Sequence, residues 1–113
     1  MGRCLFLIIL LFLIFLLGLP GKPSPPTANS VSGHDIDVSW TAPSDTGAGI
    51  TGYNVLWQVV GKSVKNQKVI TGGMTAKLDV TPYTKYDINV QAFNRKGDGP
   101  WSQPLRVMSK ESG

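Results

Sequence analysis

Apolar and polar residues alternate in short runs along most of this chain. Ile36, Val38 and Trp40 fall on every second position, as do Tyr53, Val55 and Trp57, and so do Tyr86, Ile88, Val90 and Ala92. A period of two places each set on one face of a β-strand, because successive side chains leave an extended backbone on opposite sides. Leu105 and Val107 form a last, shorter set. Clusters of Gly, Pro, Asn and Asp separate the runs at spacings of roughly 8 to 12 residues, the punctuation of an all-β domain. Pro23, Pro25 and Pro26 predict an extended edge segment at the entry, where missing backbone donors do little harm. The inward sets supply the two inner faces of a sandwich whose sheets pack about 10 Å apart, with Trp40 its largest member.

The N-terminus breaks the alternation. Met1-Gly2-Arg3 carries one positive charge, an unbroken apolar run follows from Cys4 to Leu17, and Gly18-Leu19-Pro20-Gly21 ends it. A basic start, a short apolar stretch and a helix-ending Gly/Pro segment have the layout of a secretory signal, with cleavage expected at Gly21 or nearby. The competing expectation is an uncleaved anchor, against which stands a run shorter than the ~20 residues that a spanning helix prefers. Either places the rest of the chain in the secretory pathway, facing the lumen or the outside. The expected divisions are a leader over 1–21, one domain over 22–110 and a tail over 111–113, since so short a chain fills one small core.

Charge and cysteine content narrow the class. The net charge is +4, and setting aside Arg3 of the leader lowers it by one, a mildly basic balance that argues only weakly for anionic partners. The single cysteine, Cys4, lies in the leader, so the domain has no internal disulfide and depends on apolar packing. Knottin-like and growth-factor-like scaffolds are thereby excluded, and an antibody-type bridge between sheets is absent.

Four segments carry a family resemblance: Ile36-Asp37-Val38-Ser39-Trp40, Gly52-Tyr53-Asn54-Val55, Pro82-Tyr83-Thr84-Lys85-Tyr86 and Ala92 through Pro100. Together they resemble a fibronectin type III domain, over nearly everything after residue 22. The resemblance implies a seven-stranded antiparallel two-sheet sandwich of immunoglobulin-like topology, with Trp40, Tyr53, Val55, Leu78, Tyr86, Ile88 and Val90 in its core. Val80-x-Pro82-x-Thr84 before Tyr86 is similar to a tyrosine corner, in which the phenol bonds backward to the chain just upstream. One departure is Lys77 where the family has an apolar residue, with Leu78 one place later, which predicts a shifted or bulged strand there. Asp45-x-Gly47-Ala48-Gly49-Ile50-Thr51-Gly52-Tyr53 and Gly97-Asp98-Gly99-Pro100-Trp101-Ser102 resemble modules of neural adhesion receptors of the contactin and sidekick groups.

Several motifs carry chemistry on paper. Gly47-Ala48-Gly49-Ile50-Thr51-Gly52 spells the dinucleotide pattern, but that pattern functions between a strand and a helix, and here a strand follows. His34, Asp35 and Ser39 contain the letters of a hydrolase triad within one turn and strand, where period-two geometry separates them. With one histidine and scattered carboxylates, no catalytic residue, metal site or cofactor is expected. Lys96-Gly97-Asp98 is similar to the Arg-Gly-Asp integrin ligand and lies in the corresponding loop, although turn geometry alone accounts for its glycines. Lys62, Lys65 and Lys68 offer a weak heparin patch, while nucleic-acid binding lacks the interleaved aromatics it needs. Leu56 and Phe93 should point outward from neighbouring strands as a small apolar patch, unless Trp101 covers Phe93.

The expected function is that of an extracellular module, a protein-binding or spacer unit in cell adhesion rather than an enzyme, drawn from a larger receptor. Its partners would be cell-surface or matrix proteins, and membrane contact would come only through an uncleaved leader. The alternative is a secreted single-domain ligand or decoy that engages a receptor such as an integrin through Lys96-Gly97-Asp98.

Overall fold

A computed structural model describes residues 18–111, and the apolar run of the expected leader lies outside them. Eight strands follow in order: β1 Thr27–Val31, β2 Asp35–Ser39, β3 Gly52–Val59, β4 Lys65–Ile70, β5 Thr75–Asp79, β6 Lys85–Asn94, β7 Gly97–Trp101 and β8 Leu105–Met108. They form a three-stranded sheet, β1-β2-β5, and a five-stranded sheet, β4-β3-β6-β7, in which β8 also pairs with β6. All pairings are antiparallel.

The alternating sets meet between the sheets. Ile36, Val38, Ala76 and Leu78 come from the small sheet and Tyr53, Val55, Trp57, Tyr86, Ile88, Val90 and Ala92 from the large one, all buried, with Trp40 beside them. Trp40 and Tyr53 pack edge to face with ring centroids 5.3 Å apart, an arrangement the ring quadrupoles favour. Trp57 crosses the core and donates its Nε1–H to Asp79 O at 2.9 Å, joining one sheet to the other. The phenol of Tyr86 accepts the Thr81 N–H at 2.9 Å and so fixes the crossover before β6.

Two details differ from the sequence reading. The expected seventh strand is split into β7 and β8, which share one side of β6. Pro104 has no N–H for a ladder, and at the break the Ser102 hydroxyl accepts the Val90 N–H at 2.9 Å in place of a carbonyl. The strand carrying Lys77 and Leu78 is neither shifted nor bulged: β5 pairs with β2 in continuous register from Asp35↔Asp79 to Ser39↔Thr75. Lys77 points outward, 3.7 Å from Asp35, while Ala76 and Leu78 fill the core, so this strand has no misplaced charge to accommodate. The register shifts lie elsewhere, in the β1–β2 pair between Ala28 and Ser30 and in the β6–β7 pair between Gln91 and Phe93.

Candidate functional site

The outer faces of the two sheets differ in chemistry. On the small sheet, β2 presents Asp35, Asp37 and Ser39, and β5 presents Thr75, Lys77 and Asp79. That is an ordinary solvated surface of charges and hydroxyls. On the large sheet one row of paired residues reads Val69, Asn54, Gln91 and Trp101, and the next reads Gln67, Leu56 and Asn89. Neither row holds a charge.

Amide side chains bind this face together. Asn54 Nδ2 donates to Gln91 Oε1 at 2.9 Å, and Gln91 Nε2 donates to Gly99 O at 2.9 Å. Asn89 Nδ2 donates to Ser102 O at 2.8 Å. Although Asn54 and Gln91 point away from the core, each is only 8% exposed. Val69, by contrast, is 56% exposed at the edge, while Leu56, Phe93 and Trp101 are half-buried. Charge returns at the end of the face, where Arg106 donates to both carboxylate oxygens of Asp87 at 2.9 Å. That fork holds the Asp87 carboxyl below its ordinary value, the hydrogen bond from Arg106 being the main cause.

Phe93 has a cover that the sequence reading did not name. Its ring lies over Gly52, the residue paired with it on β3, where an added Cβ would fall 2.8 Å from Phe93 Cζ. A glycine is required there because a Cβ would also fall 2.7 Å from the backbone carbonyl of Ile70, which cannot move aside as the ring could. Leu56 and Phe93 thus share the outer face with Asp98, which pairs with Phe93.

Asn94 and Gly97 pair across a tight turn made by Arg95 and Lys96. Lys96 N–H donates to Asn94 Oδ1 at 2.8 Å, and Gly97 takes a φ of 142°, a backbone that L side chains rarely adopt. Lys96 and Asp98 are both exposed, one at the turn and the other within β7.

The remaining motifs separate in space. Lys65 pairs with Gln58 and Lys68 with Val55, which puts the two lysines on opposite faces of β4, while Lys62 lies in the preceding turn. Lys68 turns its Nζ to Lys77 O at 2.7 Å, an inward-pointing charge of the kind that guards a sheet edge. Asp35 accepts from Ser32 Oγ, Ser39 donates to Asn29 Oδ1, and His34 is exposed on the turn, so the triad letters do not converge. The Gly47–Gly52 segment is a loop leading into β3. It forms one wall of an open groove of about 440 Å³ that also touches Tyr53, Ile70 and Met74. Burial there pushes the Tyr53 phenol up from its ordinary pKa.

Comparison with known proteins places this geometry. The family described as the fibronectin type III domain matches residues 21–108. Mouse contactin-2 is 32% identical over 87 residues, covering 73% of this chain and 8% of that protein. Mouse sidekick-2 is 30% identical over 90 residues, covering 74% of this chain and 4% of that protein. The chain therefore spans less than a tenth of these curated relatives. Among solved structures, the FN5 domain of Drosophila Lar superposes with a TM-score of 0.69 at 30% identity, covering 82% of this chain and 99% of that one.

Proposed function

This chain belongs to the fibronectin type III family, and from that premise we propose that it is an extracellular protein-binding or spacer module of cell adhesion, part of a larger receptor or a short form of one. The similarity to contactin-2 and sidekick-2 supports the adhesion setting. One observation carries the binding role: the centre of the large sheet's outer face is uncharged and partly aromatic, whereas the small sheet's outer face is charged. Interface centres are depleted of charge and rich in aromatic residues, with polar groups left at the rim. Leu56, Phe93 and Trp101 supply the apolar contact here, the Asn54–Gln91 amides a fixed polar floor, and Asp98 and the Asp87–Arg106 pair the rim. The partner that suits such a face is a protein surface that is itself largely uncharged at its centre.

The test is binding of the full chain, displayed or soluble, to cells. Loss of binding with Leu56→Asp at an unchanged melting temperature supports the face. If Leu56→Asp binds normally and Asp98→Ala does not, recognition moves to the Lys96-Gly97-Asp98 turn and the ligand reading replaces this one. Absence of binding at every concentration leaves the module a spacer.

A further inference from the structure

The segment Gly18–Gly21, which composition assigns to the leader, is folded into the end of the sandwich. Pro20 is among the fully buried side chains. The Gly18 carbonyl accepts from two separate parts of the fold, Ala48 N–H at 3.1 Å and Asn94 Nδ2 at 2.7 Å. Gly21 N–H donates to Asp45 O at 2.7 Å. The same Asn94 Nδ2 reaches Gly49 O at 2.9 Å, and Asn94 Oδ1 takes the Lys96 N–H at 2.8 Å. One side chain, only 8% exposed, therefore ties together the N-terminal segment, the loop before β3 and the β6–β7 turn.

Close approach tightens the same contacts. An added Cβ on Gly18 would fall 2.6 Å from Lys96 Cγ, so the lysine stem lies directly on this glycine. Leu19 Cδ2 would be 3.1 Å from a Cβ on Gly97. A Cβ on Gly99 would overlap Pro20 O and lie 3.2 Å from Gly21 O. The glycines of β7 thus leave the space that the segment occupies.

We infer that Gly18–Gly21 acts as a strap which pins the Lys96-Gly97-Asp98 turn, and that the turn is held or released according to whether the strap is docked. Without it, Ala48 N–H loses its acceptor, Asn94 Nδ2 keeps only Gly49 O, and the Lys96 stem loses the surface beneath it. Hydrolysis of the chain upstream of Gly18 keeps the strap; hydrolysis after Gly21 removes it. The position of N-terminal processing would then set how this turn is presented. The inference stands on these contacts alone and does not depend on the partner proposed above.

Amide hydrogen exchange on the full chain tests it. Ala48 and Gly21 should be protected in the natural sequence. Gly99→Ala should speed exchange of both by about tenfold or more, because its methyl has no room beside the docked strap, while Thr51 and Ser102, bonded to Phe93 O and Val90 O, stay protected. Gly99 has no positive φ, so alanine fits its backbone. If Gly99→Ala does not fold, Pro20→Asp gives the same reading from outside the strands. Unprotected Ala48 and Gly21 in the natural chain, or protection retained in a folded variant of either kind, would overturn the inference.

Discussion

Asn54 and Gln91 join side chain to side chain across β3 and β6, at 2.9 Å, on the face of the sheet turned away from the core. Each residue is nearly as buried as the core aromatics, so the bond has little competition from water. Removing one partner leaves the other's amide under-satisfied, which costs about 1 to 3 kcal/mol. Asn54→Ala and Gln91→Ala are each predicted to destabilise by that order, and the double variant by less than the sum, with a coupling of at least ~0.5 kcal/mol. Urea unfolding of the four proteins measures this. Strict additivity would mean that the amides act independently.

Tyr86 makes a comparable prediction at the opposite end of β6. Its ring is buried, and its hydroxyl is the acceptor for Thr81 N–H. Tyr86→Phe preserves the ring and removes only that acceptor, for a predicted loss of about 1 to 2 kcal/mol. Amide exchange at Thr81 should rise in parallel. A melting temperature equal to that of the natural chain would show that water takes over the bond.

The strands were legible because their alternation is local: Ile36 and Val38, or Ile88 and Val90, declare a face within a few residues. So was the all-β sandwich. What escaped depends on pairings distant in sequence. The amides of Asn54 and Gln91 become neighbours only through the β3–β6 register, and Asn94 reaches Gly18 across most of the chain. Gly18 and Pro20 read in the sequence as the helix-ending close of the apolar run, and nothing local shows that they also pack on the domain. Lys77 stands at a position that is apolar in the family, yet no bulge is needed because its side chain points outward to Asp35. The spread of the lysine triplet, by contrast, follows from spacing once the strand is placed. Lys65 and Lys68 are an odd number apart, and in a strand that alone sends them to opposite faces.

Acid should weaken the fold through Asp87. Its carboxyl is held below the ordinary range by Arg106, so the folded state favours the ionised form more than the unfolded chain does. The contribution is therefore fully present above the unfolded carboxylate pKa of about 4 and is lost as pH falls through the lower folded value. Stability of the natural chain should decline over that acid window. Arg106→Leu, which removes the cause of the shift, should flatten the decline by lowering neutral-pH stability toward the acid value, and by a modest amount because the Arg106 side chain is 61% exposed. An identical acid limb in both proteins would assign acid sensitivity to other groups.

The two core tryptophans separate packing from hydrogen bonding. Trp40 and Trp57 are 5% and 6% exposed, yet Trp57 Nε1–H has Asp79 O as its acceptor while Trp40 Nε1–H has none among the described residues. Replacement by phenylalanine removes similar ring volume at both sites, but only at position 57 does it also break a bond and leave a carbonyl without that donor. Trp57→Phe is predicted to cost more than Trp40→Phe by about 1 kcal/mol. Full truncation is a different matter: Trp40→Ala opens the centre of the core and should cost about 3 to 5 kcal/mol, against a total stability of about 5 to 15 kcal/mol for a domain of this kind. That variant should melt far below the natural chain or fail to fold. Denaturant midpoints with an unchanged slope would establish the order Trp40→Phe, Trp57→Phe, Trp40→Ala from mildest to most severe. If Trp40→Phe proves costlier than Trp57→Phe, the edge-to-face contact with Tyr53 outweighs the bond that spans the two sheets.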